Sequence, residues 1–524
     1  MKNKFLFLDG RFGMEPLFPI KDDEISTVHK YYRSFLDTSL HTLDDITWND
    51  LDLDTIYRNM NATYSGAGDF MLYGMLRQPC LSNESLHHRL TVMNWARNEV
   101  EERDAVIHHL YGAGKRYEDD LEQPFQHDYS NSSRQYRSRA LVYSMFISAA
   151  FAFLMPMPFA VIAGVLLIYN IFRSFILHKQ LENEMDSLVY MLSHIETVHQ
   201  LAAEPFTGLP GLKKHLEELS EAMHDVHARR SLDYFEKSSS TLNFLFQSES
   251  IYYDKYAKAI YERQDIVRDI FQTIGTLDAC IAAASYQDYA HASDNVLLSE
   301  EGRFIDATDM IHPLLENPVS NHVDIHENRL ITGSNATGKS TYLKMIAINA
   351  IFAQSFHFAF AKQYRASYFK IATSMTLHDD LFQNESTFVA EVKSLHSLLE
   401  LCHDDIPALC MVDEILRGTN TLERIAASSA ILHQFAQSNC ICLGATHDIE
   451  LTHILEKDYQ NYHFTEKMEK DKMVFDYKIH RGPTTTRNAI SLLKILGYQS
   501  DLIEQAKSRL NHFEQQGEWE TIAS

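Results

Sequence analysis

The sequence predicts an α/β domain lying C-terminal to an all-α region that carries an apolar helical hairpin. Three observations predict it. Short apolar, strand-like runs alternate with helical stretches in the last 220 or so residues. Ser26 to Asn98, Leu181 to Ala203, Leu212 to Leu232 and Ile251 to Tyr286 carry helical apolar spacing. Residues 140–172 contain no charged side chain. The divisions expected are an N-terminal segment 1–35, a helical core and lever domain 36–300, and the α/β domain 301–524. Ala292 to Asn295 and Leu298 to Gly302 mark the boundary region.

In chain order, the first ten residues hold only the short apolar run Phe5 to Leu8, which is too brief for a signal peptide. The hairpin follows the first helical stretch. Its 33 residues are interrupted at Met155-Pro156-Met157-Pro158, leaving arms of about 14 to 16 residues. That is the short edge of what crosses ~30 Å of hydrocarbon. Arg134, Arg137 and Arg139 precede it and Arg173 and Lys179 follow. Both ends are therefore expected on the cytoplasmic side of the inner (cytoplasmic) membrane, with the α/β domain facing the cytoplasm. The alternatives are a buried or re-entrant hairpin and a purely cytoplasmic protein. A surface apolar all round, with Phe146, Phe151, Phe153, Val165, Leu166, Leu167 and Ile168, would find few partners among soluble helices, which favours a membrane.

The chemistry is concentrated beyond residue 300. Gly333-Ser334-Asn335-Ala336-Thr337-Gly338-Lys339-Ser340 has the spacing G-x-x-x-x-G-K-[ST], between the strand-like Leu330 to Thr332 and a helical run that begins at Thr341 and Tyr342. Glycines let the backbone wrap a polyphosphate, the helix N-terminus supplies amide donors, and Lys339 adds a charge. The expected ligand is a nucleoside triphosphate. Pro407 to Glu414 is an apolar strand ending in two carboxylates, of which Asp413 suits the Mg²⁺ shell and Glu414 suits orientation of water. An ordinary buried strand capped by acids has the same pattern. A third strand, Cys440 to Thr446, ends at His447; a histidine just past such a strand can contact a γ-phosphate, whereas a lone histidine in a loop is more often merely solvated.

Asp413-Glu414-Ile415-Leu416-Arg417-Gly418-Thr419-Asn420-Thr421 resembles the D-E-[IL]-x-x-G-T-x-T stretch of MutS-family ATPases, relatives of the ABC ATPases. Ser386-Thr387-Phe388-Val389-Ala390-Glu391 is similar to that family's S-T-F-x-x-E, and Ala445 to Thr452 to its A-T-H-x-x-E-L-T. His312 to Leu315, Tyr477 to Ile479, Gly482 and Leu496 to Tyr498 follow in the family's order. Ser65, Gly68, Leu72, Leu76 and Pro79 resemble, less specifically, the start of its helical core. The resemblance implies a P-loop, ABC-like fold and a head-to-tail homodimer. Each nucleotide would lie between the P-loop of one subunit and Ser386 of the other. Lys339 would neutralise phosphates, Ser340 and Asp413 hold Mg²⁺, Glu414 polarise water, and His447 sense the γ-phosphate. The pair Asn384-Glu385 departs from the Gly-Arg type common in the family and weakens the carry-over to Ser386.

The chain's 47 basic and 71 acidic residues give a net charge of −24, which opposes broad electrostatic capture of nucleic acid. The core-like region begins near Leu40 without a mismatch-reading F-x-E segment before it, so direct mismatch reading is not expected. DNA enters as a partner by resemblance only. Two readings stand: a membrane-tethered DNA clamp related to mismatch repair or recombination proteins, and a membrane ATPase acting on a protein or lipid partner. The scattered cysteines, without Cys-x-x-Cys spacing, read as buried, reduced thiols.

Overall fold

Ser65 starts a capped helix in the N-terminal half. Its hydroxyl oxygen accepts from Gly68 N at 3.0 Å, capping helix Gly66–Arg77, and its proton goes to Asp278 Oδ2 at 2.6 Å. Asp278 lies on helix Gln264–Tyr289, which packs along Gly66–Arg77. Glycines set the approach: a Cβ at Gly68 would stand 2.2 Å from Asp278 Oδ2, and one at Gly275 would stand 2.5 Å from the Ala67 carbonyl oxygen. Any larger residue would push the two backbones apart. Beside this contact, buried Asp69 accepts from Asn61, Thr63, Lys115 and Tyr117 at 2.6 to 2.9 Å, so its charge is fully hydrogen-bonded.

The computed structural model describes residues 7–35, 40–117, 134–226, 248–334, 337–375, 387–469, 472–484, 490, 493 and 497–519. The chain divides into two compact units. One comprises Met1–Leu40, Asp54–Gln78 and His87–His291 and is helical; the other comprises His41–Leu53, Pro79–Leu86 and Ala292–Ser524. The expected linker at Leu298 to Gly302 is in part a strand, and the division falls between His291 and Ala292.

In the helical unit, helix Arg134–Phe151 turns at residues 152–155 into helix Pro156–Ala203. The two arms lie antiparallel, with Phe151 on Phe159, Met145 Sδ 3.7 Å from Asn170 Nδ2, and Ser138 Oγ 3.3 Å from Arg173. The second arm differs from the short arm the sequence predicts. It continues without a break into the stretch from Leu181, because no Gly or Pro interrupts residues 165–203. At 48 residues it is roughly 70 Å long. Its two ends live in different surroundings. Leu188, Leu192, Ile195, Val198 and Leu201 are fully buried, whereas Phe153, Leu154 and Met157 at the hairpin tip are 92%, 77% and 79% exposed.

The second unit contains two sheets among its described residues. The smaller has order β1-β5-β2-β3, with β1 Val296–Ser299, β2 Ile305–Met310, β3 Asn321–Ile325 and β5 Gln363–Ser367. The larger has order β10-β9-β4-β8-β7-β6, from β4 Arg329–Thr332, β6 Lys370–Ser374, β7 Ala408–Asp413, β8 Cys440–Thr446, β9 Gln460–Glu469 and β10 Lys472–Arg481. All its pairings are parallel except β9 with β10. β4, β7 and β8 are almost wholly buried, as expected of central parallel strands covered on both faces. Helices Lys339–Phe356, Thr387–Leu401 and Thr421–Ala436 supply covering layers. Helix Asp45–Asp50 finishes the free edge of β6. Thr47 Oγ1 accepts from Thr373 N at 3.0 Å, and Asp50 Oδ2 accepts from Thr373 Oγ1 and Met375 N at 2.7 and 2.9 Å.

Candidate nucleotide site

The strand order brings the site together. After β4 the chain crosses to edge strand β6, returns through β7 and β8, and then passes to β9 on the other side of β4. β4 is thus the point where the winding reverses, the position at which open α/β sheets leave a crevice beyond the strands' C-terminal ends. Register does the rest: Thr332 pairs with Thr446, and Asp413 with Ala445. Glu414 N donates to Ala445 O at 2.9 Å. The loop after β4, the acids after β7 and the histidine after β8 therefore emerge side by side.

Gly333 and Gly338 have φ of +154° and +103°. A Cβ at Gly333 would come 2.9 Å from Thr337 Oγ1, so this loop conformation needs glycine there. Thr337 Oγ1 donates back to Ser334 O at 2.8 Å. Lys339 opens the following helix, and its ammonium donates to Gly333 O at 2.8 Å and Ser334 O at 3.1 Å, with His447 Nε2 at 3.4 Å. Burial lowers the Lys339 pKa, against the opposing pull of Asp413 and Glu414. Ser340 hydroxyl donates to Asp413 Oδ2. Asp413 Oδ1 is buried with no hydrogen-bond partner among the described residues. A carboxylate with one oxygen toward a serine and the other uncommitted is a fitting donor pair for Mg²⁺.

The adjacent acids differ. Burial raises the pKa of Asp413, whereas His447 Nε2, 2.6 Å from Glu414 Oε1, lowers that of Glu414 by hydrogen bonding. Arg417 also pairs with Glu414. Glu414 and Leu416 have φ of +52° and +58°, left-handed conformations that cost a non-glycine residue about 1–3 kcal/mol. The Glu391 carboxylate accepts from Leu416 N and so ties helix Thr387–Leu401 to this strained turn. Arg417 and Glu391 carry no assigned role in the sequence reading. The only available signal was that both fall inside the quoted motifs.

Gly333, Ser334, Thr337, Gly338, Lys339, Ser340, Asp413, Glu414 and His447 thus converge, and Thr341 lines the same cavity. Asn335, Ala336 and Ser386 lie outside the described residues. The cavity, of about 450 Å³, continues from the loop past Tyr342 to His312, Phe464 and Tyr477. A cationic phosphate cradle opening onto a partly aromatic chamber has the form of a nucleotide site.

Comparison with known proteins agrees with this geometry. Residues 329–514 match the family model of MutS domain V. MutS protein homolog 4 of Mus musculus is 30% identical over 277 residues, 48% of this chain and 28% of that protein. DNA mismatch repair protein MutS of Thermus thermophilus is 30% identical over 205 residues, 38% of this chain and 25% of that protein. The namesake from Listeria welshimeri is 32% identical over 273 residues, 48% of this chain and 31% of that protein. The matched region spans less than a third of each of these relatives. The family-model match places the likeness to MutS domain V within residues 329–514.

Proposed function

We propose that this chain is a Mg²⁺-dependent ATPase of the MutS type, acting as a homodimer and tethered to a membrane by its apolar hairpin. The observation that carries the ATPase reading is the meeting of Lys339, Ser340, Asp413, Glu414 and His447 at the ends of β4, β7 and β8. Ser340 and Asp413 would hold Mg²⁺, which when bound offsets phosphate charge. Lys339 must exchange the carbonyls of Gly333 and Ser334 for phosphate oxygens, and those carbonyls keep it pointed at the loop until it does. Glu414, kept ionised by His447 and Arg417, is the group available to orient an attacking water. Catalysis on this reading is positioning and charge stabilisation by groups already held in place.

The membrane reading rests on exposure. Residues 156–177 form a 22-residue helical segment containing an 18-residue window of mean hydropathy 2.0, of which 11% is buried by the rest of the chain. No other described helix is both long and apolar enough to cross a membrane. A run of exposed Phe, Leu, Met, Val and Ile side chains this long is what a hydrocarbon environment would cover. With Arg134, Arg137, Arg139, Arg173 and Lys179 flanking it, the nucleotide domain would face the cytoplasm.

DNA as the acted-on partner follows the names of the relatives. Against it, the net charge of −24 favours a second reading, an ATPase that moves a membrane protein or lipid partner. The test is the steady-state ATPase rate of detergent-solubilised protein titrated with duplex, mismatched and branched DNA at two salt concentrations. Stimulation that weakens with salt supports the DNA clamp. A basal rate that no DNA alters supports the second reading, and absence of any ATPase activity rejects both.

A further inference from the structure

We propose that Cys402, Cys410 and Cys440 form a binding site for a single thiophilic metal ion, best matched to Cu(I). The three thiols come from different elements: the turn after helix Thr387–Leu401, the middle of β7, and the first residue of β8. Their sulfurs all lie within 4.8 Å of one another, and Cys402 Sγ is 3.6 Å from Cys410 Sγ. None is in a disulfide, and none is more than 3% exposed. A metal 2.3 Å from three sulfurs in one plane holds them about 4.0 Å apart, so the observed cluster needs only small side-chain adjustments to close on an ion.

The surroundings select the ion. Leu395, Leu398, Leu432 and Phe435 belong to the same core cluster, and the Cys402 and Cys440 thiols donate to the Leu398 and Phe435 carbonyls at 3.1 Å, so among the described side chains grouped there the donors are soft sulfurs. Zinc in a closed site takes four ligands. Among the described His, Cys, Asp and Glu residues no fourth joins the three, Cys442 included. Cu(I) is the soft ion that three sulfurs satisfy. Exposed His403, Asp404 and Asp405 follow Cys402 directly and offer a short route in from solvent. Loading replaces S–H bonds with S–Cu bonds and releases the protons to water; copper enters and remains as Cu(I), so no electron is transferred.

Position gives the site a use. Cys440 opens β8 at the end opposite Thr446, and Cys402 closes the helix whose first turns carry Glu391, the partner of Leu416 N. A bound ion would pin that helix to β7 and β8 without touching the nucleotide loop.

The test uses the full chain in detergent under anaerobic, reducing conditions, titrated with Cu(I) delivered from a bicinchoninate complex. We expect one copper per chain in native mass spectrometry, three sulfur neighbours in copper X-ray absorption, and a higher unfolding temperature. Cys402→Ser and Cys410→Ser should lose the copper and the temperature rise, while Cys80→Ser, buried elsewhere, keeps both. If the serine variants fail to fold, the count of sulfur neighbours in the unaltered protein still decides. No retained copper, fewer than three sulfur neighbours, equal retention in folded variants, or a Cys402–Cys410 disulfide as the sole chemistry would each overturn the site.

Discussion

Glu414 is held by the Arg417 guanidinium, the His447 ring and a strained backbone, an arrangement that fixes a carboxylate in one direction. Replacing it with Gln keeps the shape and removes the charge. Glu414→Gln is expected to bind ATP with affinity near that of the unaltered protein and to lose on the order of 10²–10⁴-fold in turnover. Equilibrium nucleotide binding beside single-turnover hydrolysis checks this, and undiminished hydrolysis would remove Glu414 from the role. A second residue-scale prediction concerns pH. His194 is fully buried, stacks on Phe271 at 4.2 Å, and donates from Nδ1 to Tyr190 O at 2.9 Å; burial lowers its pKa to about 4. The unfolded chain, with an ordinary histidine pKa, binds the extra proton first. Between the unfolded value near 6.5 and the folded value near 4, stability therefore falls as pH falls, by about 2 kcal/mol from this residue between pH 7 and pH 5. Denaturant unfolding at the two pH values should show a smaller drop in His194→Phe than in the unaltered protein; an equal drop would assign the acid sensitivity elsewhere. The phosphate loop, Asp413, Glu414 and His447 were legible in the sequence because their chemistry tolerates few residue types at fixed spacing. Arg417 was not, because an arginine beside an acid is usually only a solvated pair, and its role depends on a turn that register alone creates.

At the scale of elements, legibility followed pattern and context. β7 and β8 are largely apolar runs that could be read directly, and the four residues of β4 could be placed by the phosphate loop that follows them, whereas β2 and β3 alternate with polar residues over five or six positions and join a second sheet that local pattern does not announce. Helix Asp45–Asp50 reads as part of a helical region, yet its side chains complete the edge of β6 some 320 residues away. The hairpin was visible as composition; on the proposed membrane reading, its depth depends on the tip. Residues 152–158 are Ala, Phe, Leu, Met and Pro without a charge, although a tip emerging on the far side of a bilayer would meet water. An uncharged tip fits a hairpin that enters from one side and ends within the hydrocarbon. Lysines at Phe153 and Leu154 should then release the protein from carbonate-washed membranes, since a lysine near the bilayer centre costs about 2.5–3.5 kcal/mol. Retention of the double lysine variant would instead indicate a tip that reaches water.

At the scale of the whole molecule, the question is whether each nucleotide site is completed by a second copy. The described P-loop, Asp413 and Glu414 come from a single unit, and the MutS resemblance assigns Ser386 to the opposite site. Two inactive variants can decide. Lys339→Ala destroys a subunit's own phosphate cradle and leaves the Ser386 it lends; Ser386→Ala does the reverse. In a mixed head-to-tail dimer, one site then collects both lesions and the other collects none. With half of the dimers mixed and one of two sites intact in each, equimolar mixing should restore about a quarter of the unaltered ATPase rate, if the sites work independently. If instead Ser386 served the site of its own chain, or if the chain acted as a monomer, no pairing could bring an intact Lys339 to an intact Ser386, and the mixture would stay as inactive as its parts. The two outcomes differ by the presence or absence of turnover, so subunit exchange followed by a rate measurement separates a composite site from a self-contained one.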